Sequence, residues 1–390
     1  MSSSISGLHF GIYKATTKSD IITNYLTDKI TVAGTYGCPP ARWGCGLQVM
    51  LEKVAGVALV NKLRAILLTE GDYNFFNKWV FGYKALDVLY QNRYIPQDQY
   101  SQHESTSEDA RLDNRLTMDI SRQQRIPLAA ISVDADKCYD RINHILMSLA
   151  LLAIVGTGGL ITALLFPIQI MKFYQRTAWG DSSSFMGGRN PNNPLQGLCQ
   201  GNGAAPACWL IISSLLMHCY SRQGFGSSIL SAISKLLIEF LGEMYVDDTD
   251  LIVMKPHYCS GNDVIQDAQA SVNAWTNLLI STDGSLNPNK CYWYMVDSTC
   301  INGEWNYAPS TTWELTIPLP DSTRHKIAHL DAYHSNKMLG VWSNPAGDDT
   351  KHLEANILGR YETWINRLSN GHLPNRLVWM AYHSINFSLG

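Results

Sequence analysis

The sequence has little charge of either sign. Only 16% of its 390 residues are Asp, Glu, Lys or Arg, against roughly 25% in an average soluble protein. Hydrophobic content is an ordinary 46%, so Gly, Ser, Thr and Asn make up the difference. With 30 basic and 33 acidic side chains the net charge is −3. That excludes a chain whose bulk field attracts polyanions, and any basic groove must be local. The nine cysteines are an odd number without a CxxC pair, which excludes a disulfide framework and a zinc ribbon and fits a reducing compartment. The opening MSSSISGLHFGIYKA lacks the basic-then-apolar build of a secretory signal. No internal repeat is present.

One uncharged run, Ile145 to Met171, is long enough to span a bilayer. Gly156-Thr157-Gly158-Gly159 and then Pro167 interrupt it, and these breakers predict two core helices instead of one membrane span. With no signal and no span, the expected location is intracellular, nucleus or cytoplasm.

Residues 1–125 read as mixed, with a helical stretch near Leu63–Tyr90 and a polar patch at 97–124. From Pro127 an apolar strand, LAAISVD, runs into acids and the uncharged helices follow. A Gly/Asn/Pro-rich loop over 187–206 leads into the apolar helix CWLIISSLLMHCY, and after that comes GEMYVDDTDLIV (242–253). The next segment places Val264, Ala268, Val272, Trp275 and Leu279 on one helical face. Strands alternating with packing helices predict an α+β domain, its antiparallel sheet backed by helices.

Asp247 and Asp248 stand in an apolar frame that favours extended chain, where an unpaired carboxylate is costly. Asp134 ends the strand Leu128–Val133, and Asp247 falls where a hairpin turns. Both are expected at strand ends near a sheet edge. An Asp pair in a hairpin can be simply a turn. Three convergent carboxylates, however, repel one another unless cations neutralise them, and hard oxygen donors suit Mg²⁺. The hairpin contains no Lys or Arg to pair with the acids. Two Mg²⁺ ions clamped by shared carboxylates serve phosphoryl transfer, including nucleotide polymerisation.

DADKCYDRINH (134–144), GLCQGNGAAP (197–206) and YVDD (245–248) resemble, in order and approximate spacing, the three core motifs of reverse transcriptases. They are most similar to those of non-LTR retrotransposons and related eukaryotic retroelement polymerases. DGSLNPNKC (283–291) resembles the Gly-x-x-x-Asn turn followed by lysine, and MLGVW (338–342) resembles the primer-grip hairpin. LEK (51–53) and LRAI (63–66) resemble the finger strands. The resemblance covers about residues 50–345.

The resemblance implies a right-hand polymerase fold: fingers over 1–126, palm over 127–345 with a fingers-like insertion around 172–196, and a truncated thumb over 346–390. It implies that Asp134, Asp247 and Asp248 hold two Mg²⁺ ions, with Mn²⁺ as a substitute. Tyr139 would crowd the 2′ carbon of the incoming dNTP, Gln200 and Gly201 would line the nucleotide pocket, and Lys290 would protonate departing pyrophosphate. Arg64 and Lys53 would contact the triphosphate, although the Pro usual after the Arg is missing. Asn202-Gly203 replaces the usual Ser-Pro. Leu339, Gly340 and Val341 would support the primer end. Arg176 reads as packing or a surface cation–π pair, and Cys199 and Cys208 as small buried residues.

The implied activity is RNA-directed DNA polymerase, with RNA template, DNA primer and dNTPs as partners. The few residues after Trp342 and the early start of the fingers imply a fragment of a larger retrotransposon polyprotein, or a degenerate copy. Two alternatives stand beside it: an RNA-dependent RNA polymerase, and an inactive or domesticated nucleic-acid-binding derivative.

Overall fold

The computed structural model describes the whole chain except residues 1–3, 9, 58, 189–196, 232, 309–312, 320, 322, 349, 353, 355–357, 372–373, 375 and 381–390. The elements used below begin with α1 (Asp20–Tyr36), β1 (Cys45–Glu52), β2 (Leu63–Leu68), α2 (Gly71–Trp79) and α3 (Ser107–Gln124). They continue with β3 (Leu128–Asp134), α4 (His144–Val155), α5 (Gly158–Gln169), β4 (Lys172–Thr177) and α6 (Ala205–Ser221). β5 (Gly242–Tyr245), β6 (Asp248–Val253), α7 (Gly261–Ser281), β7 (Tyr292–Val296), β8 (Ala328–Leu330), β9 (Asn336–Met338) and β10 (Val341–Ser343) complete the set. The expected α+β class, an antiparallel sheet with helices, is what the chain adopts.

Two compact units interleave along the chain. The first comprises Met1–Gln99, Ala135–Gly224 and Ala274–Leu286, and the second Tyr100–Asp134, Phe225–Asn273 and Asn287–Gly390. In the first, β1 pairs antiparallel with β2 and parallel with β4, and short strands at Gly180–Asp181 and Met186–Gly187 extend the sheet to five. Its aromatic core joins Trp43 to Tyr73 and Phe76, with ring centroids 5.1 and 5.6 Å apart, and Trp43 Nε1 donates to Asp72 at 3.0 Å.

The second unit holds a sheet of order β8–β7–β3–β6–β5. β3 is its middle strand, so Asp134 lies at a strand end as expected, but on a strand central to the sheet. Alternation along β3 and β6 sorts the two faces. Ile131, Leu251 and Trp293 are fully buried on one. On the other, Leu128, Ala130, Ile252 and Val296 pack with Met118 of α3. That second face turns polar towards the end carrying Asp134 and Asp248.

Three local expectations change, and the polar patch gains a helix. Residues 63–68 form a strand, because they complete a ladder with β1, and helix begins only at Gly71. The polar patch contains α3, started by a capping box in which Thr106 Oγ1 accepts from the Asp109 N–H. The uncharged run does divide at Gly156, which takes left-handed φ of 68°, but Pro167 sits inside α5 without ending it. α4 is a core helix on one face only: Met147 and Leu151 are fully buried, whereas Ile145 and Leu149 are 73% and 62% exposed. Among the described residues no helix is long and apolar enough to cross a membrane. Part of the 187–206 loop, residues 189–196, lies outside the described residues. The face expected on α7 is buried as read, with Val264, Ala268, Val272, Trp275 and Leu279 at 3% exposure or less.

Candidate active site

The hairpin β5–β6 turns through Val246 and Asp247, and Asp248 pairs back with Tyr245. Val246 has φ of +59°, a strained conformation for a β-branched residue, and its N–H donates to Ser101 Oγ at 3.3 Å. Gly242 is required at the hairpin's start: with φ of +141°, a Cβ there would lie 1.9 Å from the Asp250 carbonyl oxygen. These restraints fix the register that sets Asp248 directly opposite Asp134 of β3. Asp247 occupies the turn beside them.

Lys290 reaches the same place through its own backbone. The Asn287 N–H donates to the Asp134 carbonyl at 2.9 Å and the Lys290 N–H to the Asn287 carbonyl at 3.0 Å, a turn that brings Lys290 Nζ to Asp134 Oδ2 at 2.7 Å. The expectation that these acids lack a cationic partner is therefore corrected. The partner comes from outside the hairpin, where only tertiary folding could deliver it. Partial burial opposes charging Lys290, but the bond to Asp134 and the charges of Asp134, Asp247 and Asp248 outweigh that and raise its pKa. Asp248 keeps part of its surface open, yet lost hydration and then repulsion from Asp247 and Asp134 push its pKa up to about 6 against the pull of Lys290.

Behind this row lies a second pair of acids. Period-two alternation puts Asp250 on the face of Asp248, and Glu243 is paired with Asp250 across the hairpin. Both are buried, at 8% and 2% exposure. Asn114 of α3 donates to Glu243 at 2.9 Å and to Asp250 at 3.4 Å. Burial raises the Asp250 pKa to about 7, with a hydroxyl bond from Ser132 lowering it and the Asp248 charge adding to it. A cavity of about 430 Å³ opens over both rows, lined by Asp134, Asp248, Asp250, Lys290, Tyr292 and Leu339. Leu339 and Gly340, at φ of 47° and 95°, form the turn of the β9–β10 hairpin.

Sequence reading passed over Asp250, Glu243 and Asn114. The spacing of Asp248 and Asp250 carried a signal for the first two. Nothing in the polar patch singled out Asn114.

The donor chemistry suits Mg²⁺: carboxylate oxygens in excess of the one ammonium that stands against them. Among the described residues no three His, Cys, Asp or Glu side chains by themselves form a metal cage. Mg²⁺ needs none, since it is commonly held by one or two carboxylates together with water and substrate phosphates. Asp134, Asp247 and Asp248 are the residues that could hold it.

Tyr139, Gln200 and Gly201 gather in the first unit. The Leu198 N–H donates to the Tyr139 carbonyl and the Leu67 N–H to the Gln200 carbonyl, both at 2.8 Å. The 197–201 loop is thereby stitched between the turn at Tyr139 and strand β2. Gly201, at φ of +110°, would set a Cβ 2.5 Å from the Leu67 oxygen, so only glycine permits this approach. Burial raises the pKa of Asp140, against Lys137 and the Gln200 N–H that lower it. The Asn202-Gly203 departure has a structural role. Asn202 Oδ1 accepts from Asn77 Nδ2 and from the Ala204 N–H, both at 3.0 Å, and so pins the start of α6 to α2. Arg64 is exposed on β2, and Lys53 stands where the β1–β2 hairpin opens, its N–H on the Lys62 carbonyl. Cys199 and Cys208 are buried thiols with raised pKa values, Cys199 at about 12, as small core residues should be.

No protein-family model and no curated protein matches the chain. Solved structures do. One is apo telomerase from Candida tropicalis truncated from its C-terminal domain, at 15% identity and TM-score 0.41, covering 76% of this chain and 60% of that one. Another is telomerase from Candida albicans in complex with a fragment of telomeric RNA, at 15% identity and TM-score 0.45, covering 78% and 45%. The chain thus spans about half of the proteins it resembles.

Proposed function

We propose that this chain is the polymerase portion of a retroelement reverse transcriptase, with the right-hand arrangement, extending a DNA primer on an RNA template with dNTPs. The observation that carries the reading is the β3–β6 register, which sets Asp134 against Asp248 with Asp247 at the adjoining turn and Lys290 within reach. Asp134, Asp247 and Asp248 would hold Mg²⁺, or Mn²⁺ in its place. A metal held by these residues would supply Lewis acidity toward the primer 3′-hydroxyl and charge neutralisation at the phosphates.

The chain's own groups supply the rest. The apolar strands hold the carboxylates rigid, so little reorganisation accompanies reaction. Lys290 keeps its proton and, released from Asp134, can pass it to departing pyrophosphate. Tyr139 limits space at the sugar 2′ position, and Gln200 and Gly201 shape the nucleotide pocket. Arg64 and Lys53 offer cations to the triphosphate.

The direct experiment is extension of a labelled DNA primer on RNA, comparing dNTPs with NTPs in Mg²⁺. Deoxynucleotide incorporation abolished by Asp247→Asn supports the proposal, whereas preference for NTPs would point to an RNA polymerase. One observation favours a second, non-catalytic reading: the Lys290 ammonium already occupies Asp134. Template binding without extension, unchanged by Asp247→Asn, would establish that alternative.

A further inference from the structure

The hairpin that continues β4 carries an exposed tryptophan at its tip. Trp179 is 96% exposed, and single exposed apolar residues are common enough to need no explanation. The turn that carries this one is held in place. The Trp179 backbone N–H donates to Thr177 Oγ1 at 3.3 Å, and the same hydroxyl donates to the Gly180 carbonyl at 3.1 Å. One rung below, Arg176 and Asp181 form a two-pronged ion pair at 2.7 and 2.8 Å across the strands. Arg176 thus braces the hairpin across its strands. A large aromatic face presented on a braced turn loses little entropy on binding a flat partner.

The surroundings select the partner. The register places Arg64, Lys172, Tyr174 and Arg176 on one face of the first unit's sheet. Lys172 lies 4.8 Å over the Phe185 ring, which also meets Tyr174 at 5.9 Å. The segments 45–68 and 172–187 that build the sheet contain five cations, Lys53, Lys62, Arg64, Lys172 and Arg176, against two acids, Glu52 and Asp181. That is a local charge of +3 within a chain of −3. Aromatic rings interleaved with cations bind single-stranded nucleic acid by stacking bases while the cations follow the backbone.

We infer that Trp179 is a stacking platform for an unpaired nucleobase and that the cationic face beside it receives the same single strand. The inference rests on the nucleic-acid reading above but needs no catalysis, so it is tested in EDTA without nucleotides. The full chain is titrated into fluorescein-labelled oligo(U) and oligo(dT) of about twenty nucleotides, and into a duplex of equal length, with anisotropy as readout. Trp179→Ala should weaken single-strand binding at least about tenfold, a loss of about 1.4 kcal/mol, with little change for the duplex. Trp179→Phe should retain most of the affinity, because the ring is kept. The oligo(U) and oligo(dT) arms decide whether RNA or DNA is the preferred strand.

Single-strand affinity unchanged in Trp179→Ala overturns the inference. So does a change confined to self-association in sedimentation, which would make the tip a protein contact. Failed primer extension with intact Trp179-dependent binding would sink the polymerase reading and leave this one standing.

Discussion

The two five-stranded sheets carry opposite charges in opposite settings. In the second unit, Asp134, Asp248, Asp250 and Glu243 share one face that is otherwise apolar, with Lys290 as the cation beside them. In the first, the cations stand on exposed strands and braced hairpins. Hydrated cations at a surface need no partner, whereas Asp248 and Asp250, at the end of a buried sheet, have their pKa values raised by burial first and by neighbouring carboxylates second. A net charge near zero therefore conceals two strong local fields. It also explains why composition gave no sign of the cations grouped on one sheet.

The sharpest way to separate the sheets is Asp247→Asn. It should reduce primer extension by at least about a thousandfold, equivalent to roughly 4 kcal/mol of transition-state stabilisation. Single-strand binding by the other sheet should stay within about twofold. Retained extension would mean the acid row does no chemistry.

Next in size is the hairpin that holds the acids. Gly242→Ala drives a Cβ against the Asp250 carbonyl and should cost roughly 3 kcal/mol or more in urea unfolding. Gly303→Ala, at φ of 86° with nothing within 4 Å, should cost about 1 kcal/mol from backbone strain alone. Equal losses would show that the close approach at Gly242 is not what constrains the turn.

Asp250 tests the electrostatic half. With a native pKa of about 7 against about 3.9 unfolded, the folded chain holds a proton that the unfolded chain releases. Stability is therefore full near pH 4 and declines as pH rises towards 7. Asp250→Asn should abolish that decline, stabilising the protein at pH 8 by on the order of 2 to 4 kcal/mol in metal-free buffer. At pH 4 it should be close to neutral. A pH-independent effect would place the proton elsewhere.

The smallest effect belongs to the basic sheet. Arg64→Ala should lower the salt slope of single-strand binding by about 0.7 and weaken affinity about threefold to tenfold in dilute salt. An unchanged slope would remove Arg64 from the binding face.

The α+β alternation and the buried stripe of α7 were readable because period is a local property of the chain, whereas the meeting of Asp134 with YVDD was expected only from the motif resemblance. The strand at 63–68 was legible only through the resemblance of LRAI to a finger strand, since periodicity alone leaves its apolar run helix or strand until β1 supplies a ladder. The Pro167 break failed for a related reason: a proline near a helix end is tolerated when packing holds both flanks. Asp250 was half legible, as its parity with Asp248 placed it on the same face. Nothing local gave its burial or its clamp to Glu243 through Asn114.

The sequence by itself determined which strands carry acids and where the hairpin turns. Those follow from side-chain alternation and turn chemistry, which neighbours a few residues away decide. That Gly201 must be glycine was decided by packing, because a Cβ there would meet the Leu67 carbonyl of a distant strand. Tertiary structure alone decided that Lys290 meets Asp134 and that β3 runs in the middle of its sheet. It also decided that Arg64, Lys172 and Arg176, far apart in the chain, share one face of a sheet. Coulombic and hydrogen-bonding partners are chosen by distance in space, and the chain does not encode that distance until the sheet's register is set.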